Sequence, residues 1–119
     1  MNSVEEPLAE SAPIAREFAS RLCYRDPGTG ETCSWYHGLW QFLRLLKLVT
    51  APEHHADFYR EALGEIANGA GPYRVLVSGA ADYSMLAYAL AAFRSQAKEP
   101  ELSVNDLCET PLALSRWYS

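Results

Sequence analysis

The run Tyr73-Arg74-Val75-Leu76-Val77-Ser78, followed at once by Gly79-Ala80-Ala81-Asp82, constrains this chain more than any other stretch. It is a short β-branched and apolar segment between the breaker cluster Asn68-Gly69-Ala70-Gly71-Pro72 and a group of small residues. That is the pattern of a strand buried on both faces of a parallel sheet. From Tyr83 to Gln96, Met85, Leu86, Ala89, Leu90 and Phe93 recur at helical spacing. After Lys98-Glu99-Pro100, the run Glu101-Leu102-Ser103-Val104-Asn105-Asp106 reads as a second strand ending in a carboxylate. Thr110-Pro111 then opens another helix through Leu112, Leu114 and Trp117. Strand, helix, strand, helix in this order predicts an α/β fold with parallel strands joined by a helical crossover.

The preceding residues carry helical signals only. Ser11 and Pro13 resemble the cap and first turn of a helix with Ile14, Phe18 and Leu22 along one stripe. Arg25-Asp26-Pro27-Gly28-Thr29-Gly30 is a turn; no Gly-Lys-Ser/Thr follows it, so its glycines do not form a phosphate loop. Ser34 is placed to cap a second helix reaching Val49, whose apolar residues cover more than one face and predict packing on two sides. Thr50-Ala51-Pro52-Glu53 has the form of a capping box opening a third helix, with Phe58, Ala62, Leu63 and Ile66 on its apolar stripe. The chain therefore divides into a helical N-terminal region, residues 1–72, and a βαβα region, residues 73–119.

Charge and composition narrow the possible partners. A net charge of −5, spread over 119 residues without a Lys/Arg cluster, removes the electrostatic footprint that nucleic-acid binding requires. The apolar stretch from Leu39 to Val49 is interrupted by Gln41, Arg44 and Lys47 and is too short to span a bilayer. The acidic N-terminus lacks the order of a secretory signal, so a cytoplasmic location is expected. Cys23, Cys33 and Cys108 are odd in number, widely spaced and free of a Cys-x-x-Cys pair. They are expected as free thiols. His37, His54 and His55 show no ligand spacing, and no metal site is expected.

The chemistry is expected where the first strand meets its helix. A helix starting just after a buried strand points unpaired backbone amides beyond the strand end, and small loop residues let a ligand approach that backbone closely. Ser78, Gly79, Ala80, Ala81 and Asp82 form this connection. Asp106, at the end of the neighbouring strand, stands where a carboxylate can accept both hydroxyl hydrogens of a ribose. A nucleoside-containing ligand follows from that pair of features.

Val75-Leu76-Val77-Ser78-Gly79-Ala80-Ala81-Asp82-Tyr83-Ser84 resembles the glycine-rich first motif of class I S-adenosylmethionine-dependent methyltransferases, and Asp106 matches their acidic second-strand motif. The resemblance spans roughly residues 73–119 and implies a Rossmann-like domain with S-adenosylmethionine as cofactor. It implies that Ser78, Gly79, Ala80, Ala81 and Asp82 wrap the cofactor, that Asp106 holds its ribose, and that Leu107 and Cys108 flank its adenine. Residues 1–72 are similar to the cap that covers the cofactor and shapes the acceptor pocket, for an acceptor expected to be a small molecule. The pattern departs from the family at Val77, where a carboxylate is usual, and at Ala81 and Tyr83-Ser84, where glycines are usual.

Within the cap, Trp35 and Tyr36 combine flat apolar surface with polar tips suited to a ring-shaped ligand or to core packing. His37 is the one candidate general base beside them. A family sheet of about seven strands contrasts with the two found here, so the Rossmann-like unit is expected to be incomplete and to need a homo-oligomer or a complementing chain. Two other readings share these features: a non-catalytic cofactor-binding or assembly module, and an NAD-binding Rossmann fragment, which lacks its third glycine at Ser84 or Met85.

Overall fold

The computed structural model describes residues 7–49, 53–71, 73–80 and 82–119. Within them the elements run α1 (Leu8–Leu22), α2 (Ser34–Leu45), α3 (Glu53–Asn68), β1 (Arg74–Ser78), α4 (Ser84–Arg94), β2 (Glu101–Asn105) and α5 (Glu109–Tyr118). The chain is thus a mixed α/β structure with a helical N-terminal part followed by a βαβα unit. The capping box at Thr50-Ala51-Pro52 lies outside the described residues.

β1 and β2 pair in parallel, with Val75 opposite Leu102 and Val77 opposite Val104. Alternation along each strand puts these four side chains on one face, against α4 and α5. The opposite face carries Leu76, which is 66% exposed. Burial on both faces, expected from the sequence, is therefore not what the fold does: among the described residues no element covers the Leu76 face.

α3 packs on α4, α1 packs on α5, and α1 and α2 form a close pair. α1 starts at Leu8, three residues before Ser11, and takes Pro13 into its interior. Its buried residues are Leu8, Ser11, Ala12, Ala15 and Ala19 rather than the Ile14, Phe18 and Leu22 stripe. The small side chains matter because α2 approaches with Gly38: a Cβ there would lie 3.6 Å from the Ala19 Cβ. α3 similarly buries Ala56 and Ala67, with Tyr59 and Leu63 partly covered, while Phe58 and Ile66 remain exposed.

α2 inverts the usual helix pattern. It buries His37, Gly38, Gln41 and Arg44, while Trp35 and Leu39 are exposed. It also stops short of Val49. Lys47 takes φ 58°, and the amides of Lys47 and Leu48 turn back to the carbonyls of Arg44 and Leu43, a Schellman closure made without glycine. Packing on two sides is not observed, because the outer face of α2 meets no other described element. None of the described helices is long and apolar enough to cross a membrane.

Candidate functional site

The loop after β1 and the turn after β2 meet at one point. Gly79 takes φ +76°, the left-handed region that favours glycine, and its amide donates to the Asn105 carbonyl at 2.8 Å. This continues the strand pairing by one residue and turns the chain toward α4. The Ala80 amide then donates to Asp106 Oδ2 at 2.7 Å, and the Cys108 amide to Asp106 Oδ1 at 2.9 Å. One carboxylate thus holds both strand ends together. A Cβ built on Gly79 would meet nothing within 4 Å, so its backbone is open to a ligand.

The other residues singled out from the sequence have separate surroundings. Ser78 ends β1 and is exposed, Ala80 is buried, and Leu107 is fully exposed beside Asp106. Ala81 lies outside the described residues. Asp82 is buried, 6% exposed, and its oxygens accept hydrogen bonds from Gln41 Nε2 at 2.6 Å, Arg44 Nη1 and the Ser84 amide at 2.7 Å. Gln41 Oε1 in turn accepts from Ser11 Oγ at 2.6 Å. A buried polar chain, Ser11–Gln41–Asp82–Arg44, therefore ties α1 and α2 to the β1–α4 turn. This network explains why α2 buries its polar stripe: each polar group has a partner, so the desolvation cost is offset.

Tyr83 is wholly buried and stacks on Tyr118 at 4.9 Å between ring centroids. Trp35 is exposed, and Tyr36 stacks on Trp40 at 5.4 Å. Burial, with the nearby Asp82 charge, raises the Tyr36 phenol above its ordinary range.

A second cluster was not legible in the spacing. Cys23 at the end of α1, Cys33 at the N-cap of α2, His37 one turn into α2 and Cys108 at the N-cap of α5 converge. Their Sγ and ring-nitrogen atoms lie within 4.8 Å of one another. Cys108 Sγ is 3.5 Å from Cys23 Sγ, 3.6 Å from Cys33 Sγ and 3.4 Å from His37 Nδ1; Cys23 Sγ is 3.3 Å from the same Nδ1. Thr110 Oγ1 lies 3.0 Å from Cys23 Sγ.

Burial pushes the Cys23 thiol up to about 12 and also raises that of Cys33. Burial opposes ionisation of Cys108 too, but the Thr110 amide and neighbouring side-chain hydrogen bonds outweigh it, and its thiol is lowered. Burial lowers the His37 imidazole against the opposing pull of the Asp106 charge, which favours the neutral ring. Two of the residues assigned from the sequence to other roles, His37 and Cys108, thus belong to this thiol cluster. The one sequence signal pointing to it is Cys33 and His37 one helical turn apart, which alone is far too common to identify a site.

The chain matches no family model, no curated protein and no solved structure.

Proposed function

We propose that residues 73–119 bind S-adenosylmethionine at the C-terminal ends of β1 and β2, as part of a Rossmann-like methyltransferase whose cap is residues 1–72. The observation that carries this reading is the 2.7 Å hydrogen bond from the Ala80 amide to Asp106 Oδ2. It brings the glycine turn of one strand and the acid of its parallel neighbour to the same place, where ligands bind in open α/β sheets. The open approach to Gly79 fits a ligand laid against the backbone.

In this reading Gly79 and Ser78 admit the cofactor, the remaining acceptor capacity of Asp106 takes the ribose hydroxyls, and the exposed Leu107 packs on the adenine. The bound sulfonium supplies the methyl group; the protein's part is to align a small-molecule acceptor with it. Asp82 acts as a positioning residue, because its carboxylate is committed to Gln41, Arg44 and Ser84 and fixes the turn that leads into α4. The exposed Leu76 face, together with Leu39 and Leu46 on and just beyond α2, favours a homo-oligomer or a complementing chain. A non-catalytic assembly module is the second reading supported by those same surfaces.

Calorimetric titration with S-adenosylmethionine and with NAD tests the proposal. Binding of S-adenosylmethionine that falls at least tenfold in Asp106→Ala is the expected result. Tighter binding of NAD overturns it, and binding of neither, with a defined oligomer by light scattering, supports the assembly reading.

A further inference from the structure

We propose that Cys23, Cys33, His37 and Cys108 form a structural zinc site that clasps the N-terminal helical pair to the turn between β2 and α5. Four donors from three separate helix ends converge there, although Cys108 follows His37 by 71 positions. Local chain geometry therefore cannot have placed them together. The donor set is three soft sulfurs and one imidazole nitrogen, a combination suited to tetrahedral Zn²⁺.

Four of the six donor–donor distances agree closely with a common centre, and the other two, from Cys33 to Cys23 and to His37, lie within 4.8 Å. Zn–S bonds of about 2.3 Å and Zn–N bonds of about 2.0–2.1 Å at tetrahedral angles require S···S separations of about 3.8 Å and S···N separations of about 3.5 Å. The observed 3.5 and 3.6 Å between sulfurs, and 3.3 and 3.4 Å to Nδ1, are contracted from those values by only a few tenths of an ångström. With four protein donors the coordination shell is closed, leaving no position for a reacting water. That assigns the ion a structural task rather than a catalytic one.

The surroundings suit the charge. Zinc with three thiolates and a neutral imidazole carries one net negative charge, and the N-termini of both α2 and α5 point to it through Cys33 and Cys108. The first turn of α2 contains no acidic residue, while that of α5 carries Glu109. Thr110 Oγ1, buried and 3.0 Å from Cys23 Sγ, supplies an outer hydrogen bond of the kind that orients a metal-bound thiolate. The loop between Cys23 and Cys33 is held by its own contacts: Arg25 bridges Thr32, and the Asp26 amide donates to the Glu31 carbonyl at 2.8 Å. Two of the ligands are thereby preset in a hairpin before the third and fourth are added.

The site does not depend on the cofactor reading, since none of its donors needs to touch a nucleotide. It gives one physical reason for the position of Cys108 directly after Asp106 and Leu107: the ion anchors the turn that presents them.

The full chain, purified under reducing conditions, is examined by native mass spectrometry and then reconstituted with Co²⁺ after metal removal. One zinc per chain, and a cobalt spectrum with thiolate charge-transfer and tetrahedral d–d bands, are expected. Cys33→Ser and His37→Ala are each expected to weaken zinc retention at least tenfold, with far-UV circular dichroism recorded alongside. If a variant loses its helical signal, the wild-type cobalt spectrum decides alone. A chain that takes up no zinc, an octahedral cobalt spectrum, or a disulfide joining Cys108 to Cys23 or Cys33 under the same reducing conditions overturns the proposal.

Discussion

Arg44 Nη1 donates to Asp82 Oδ2 at 2.5 Å across the contact between α2 and the β1–α4 turn, with side chains only 9% and 6% exposed. The same guanidinium nitrogen reaches Ser84 Oγ at 2.6 Å. Removing Arg44 leaves the buried Asp82 carboxylate hydrogen-bonded to Gln41 and the Ser84 amide but without a counter-charge, and loss of one partner of a buried ion pair typically costs about 3–5 kcal/mol. Arg44→Ala is therefore expected to lower the urea unfolding midpoint by a corresponding amount. Arg44→Met combined with Asp82→Leu is expected to recover part of that loss but not all, because Gln41 and the Ser84 amide still lose their acceptor. A double-mutant cycle showing additive losses would remove the pair from the account.

Tyr83→Ala empties a fully buried site between Tyr118, stacked on it, and Trp117, edge-on at 6.0 Å. Loss of a buried aromatic ring of this size costs about 3–5 kcal/mol. Chemical denaturation is expected to show that range. A loss below about 1 kcal/mol would mean that the ring is not part of the core.

Gly38 distinguishes two sizes of substitution. A Cβ at this position makes ordinary contact with Ala19 Cβ at 3.6 Å, and replacing a helix-interior glycine with alanine gains about 0.5–1 kcal/mol. Gly38→Ala is thus expected to raise thermal stability slightly. Gly38→Leu must push α1 and α2 apart, and overpacking of this kind costs about 1–3 kcal/mol. Calorimetric melting of the two variants should move in opposite directions.

Ala97 shows the converse requirement for glycine. It takes φ 56° just after α4, while the Lys98 amide closes on the Phe93 carbonyl at 3.0 Å. Left-handed backbone costs a residue with a Cβ about 1–2 kcal/mol, partly offset in the variant by the greater freedom of glycine when unfolded. Ala97→Gly is expected to raise the melting temperature, and a fall would count against the observed helix end.

Asp26 gives a pH dependence with a definite sign. Its carboxylate accepts hydrogen bonds from the Thr29 and Gly28 amides, at 2.9 and 2.8 Å, and these hold it below the usual aspartate range. A carboxyl depressed in the folded state adds stability above its unfolded value, and that contribution disappears as pH falls through the folded one. Carboxyl-carbon NMR should show the Asp26 midpoint below those of unbonded aspartates. In Asp26→Asn, the acid-side loss of protection at the Gly28 and Thr29 amides should no longer follow this titration.

The order of elements in residues 73–119 was legible because each strand is short, β-branched and bounded by breakers, and each helix repeats its apolar residues every turn. The positions of Gly79 and Asp106 were legible for a related reason: each directly follows a strand end, Ser78 and Asn105, which are paired in register. Apolar spacing misled at α1 and α2. It assumes that the apolar stripe faces inward, whereas Ser11, Gln41, Arg44 and Asp82 satisfy one another so fully that the polar stripe of α2 is buried and Leu39 is left outside.

By itself, then, the sequence determined the α/β class, the helical region followed by βαβα, and the glycine and carboxylate at the strand ends, since all of these are written in local spacing. Tertiary structure alone decided that Asp82 is a buried partner of Arg44, that Tyr83 is core, and that Cys23, Cys33, His37 and Cys108 share one centre. Their convergence depends on α1 packing against both α2 and α5, across most of the chain. Residue spacing carries no information about contacts of that range.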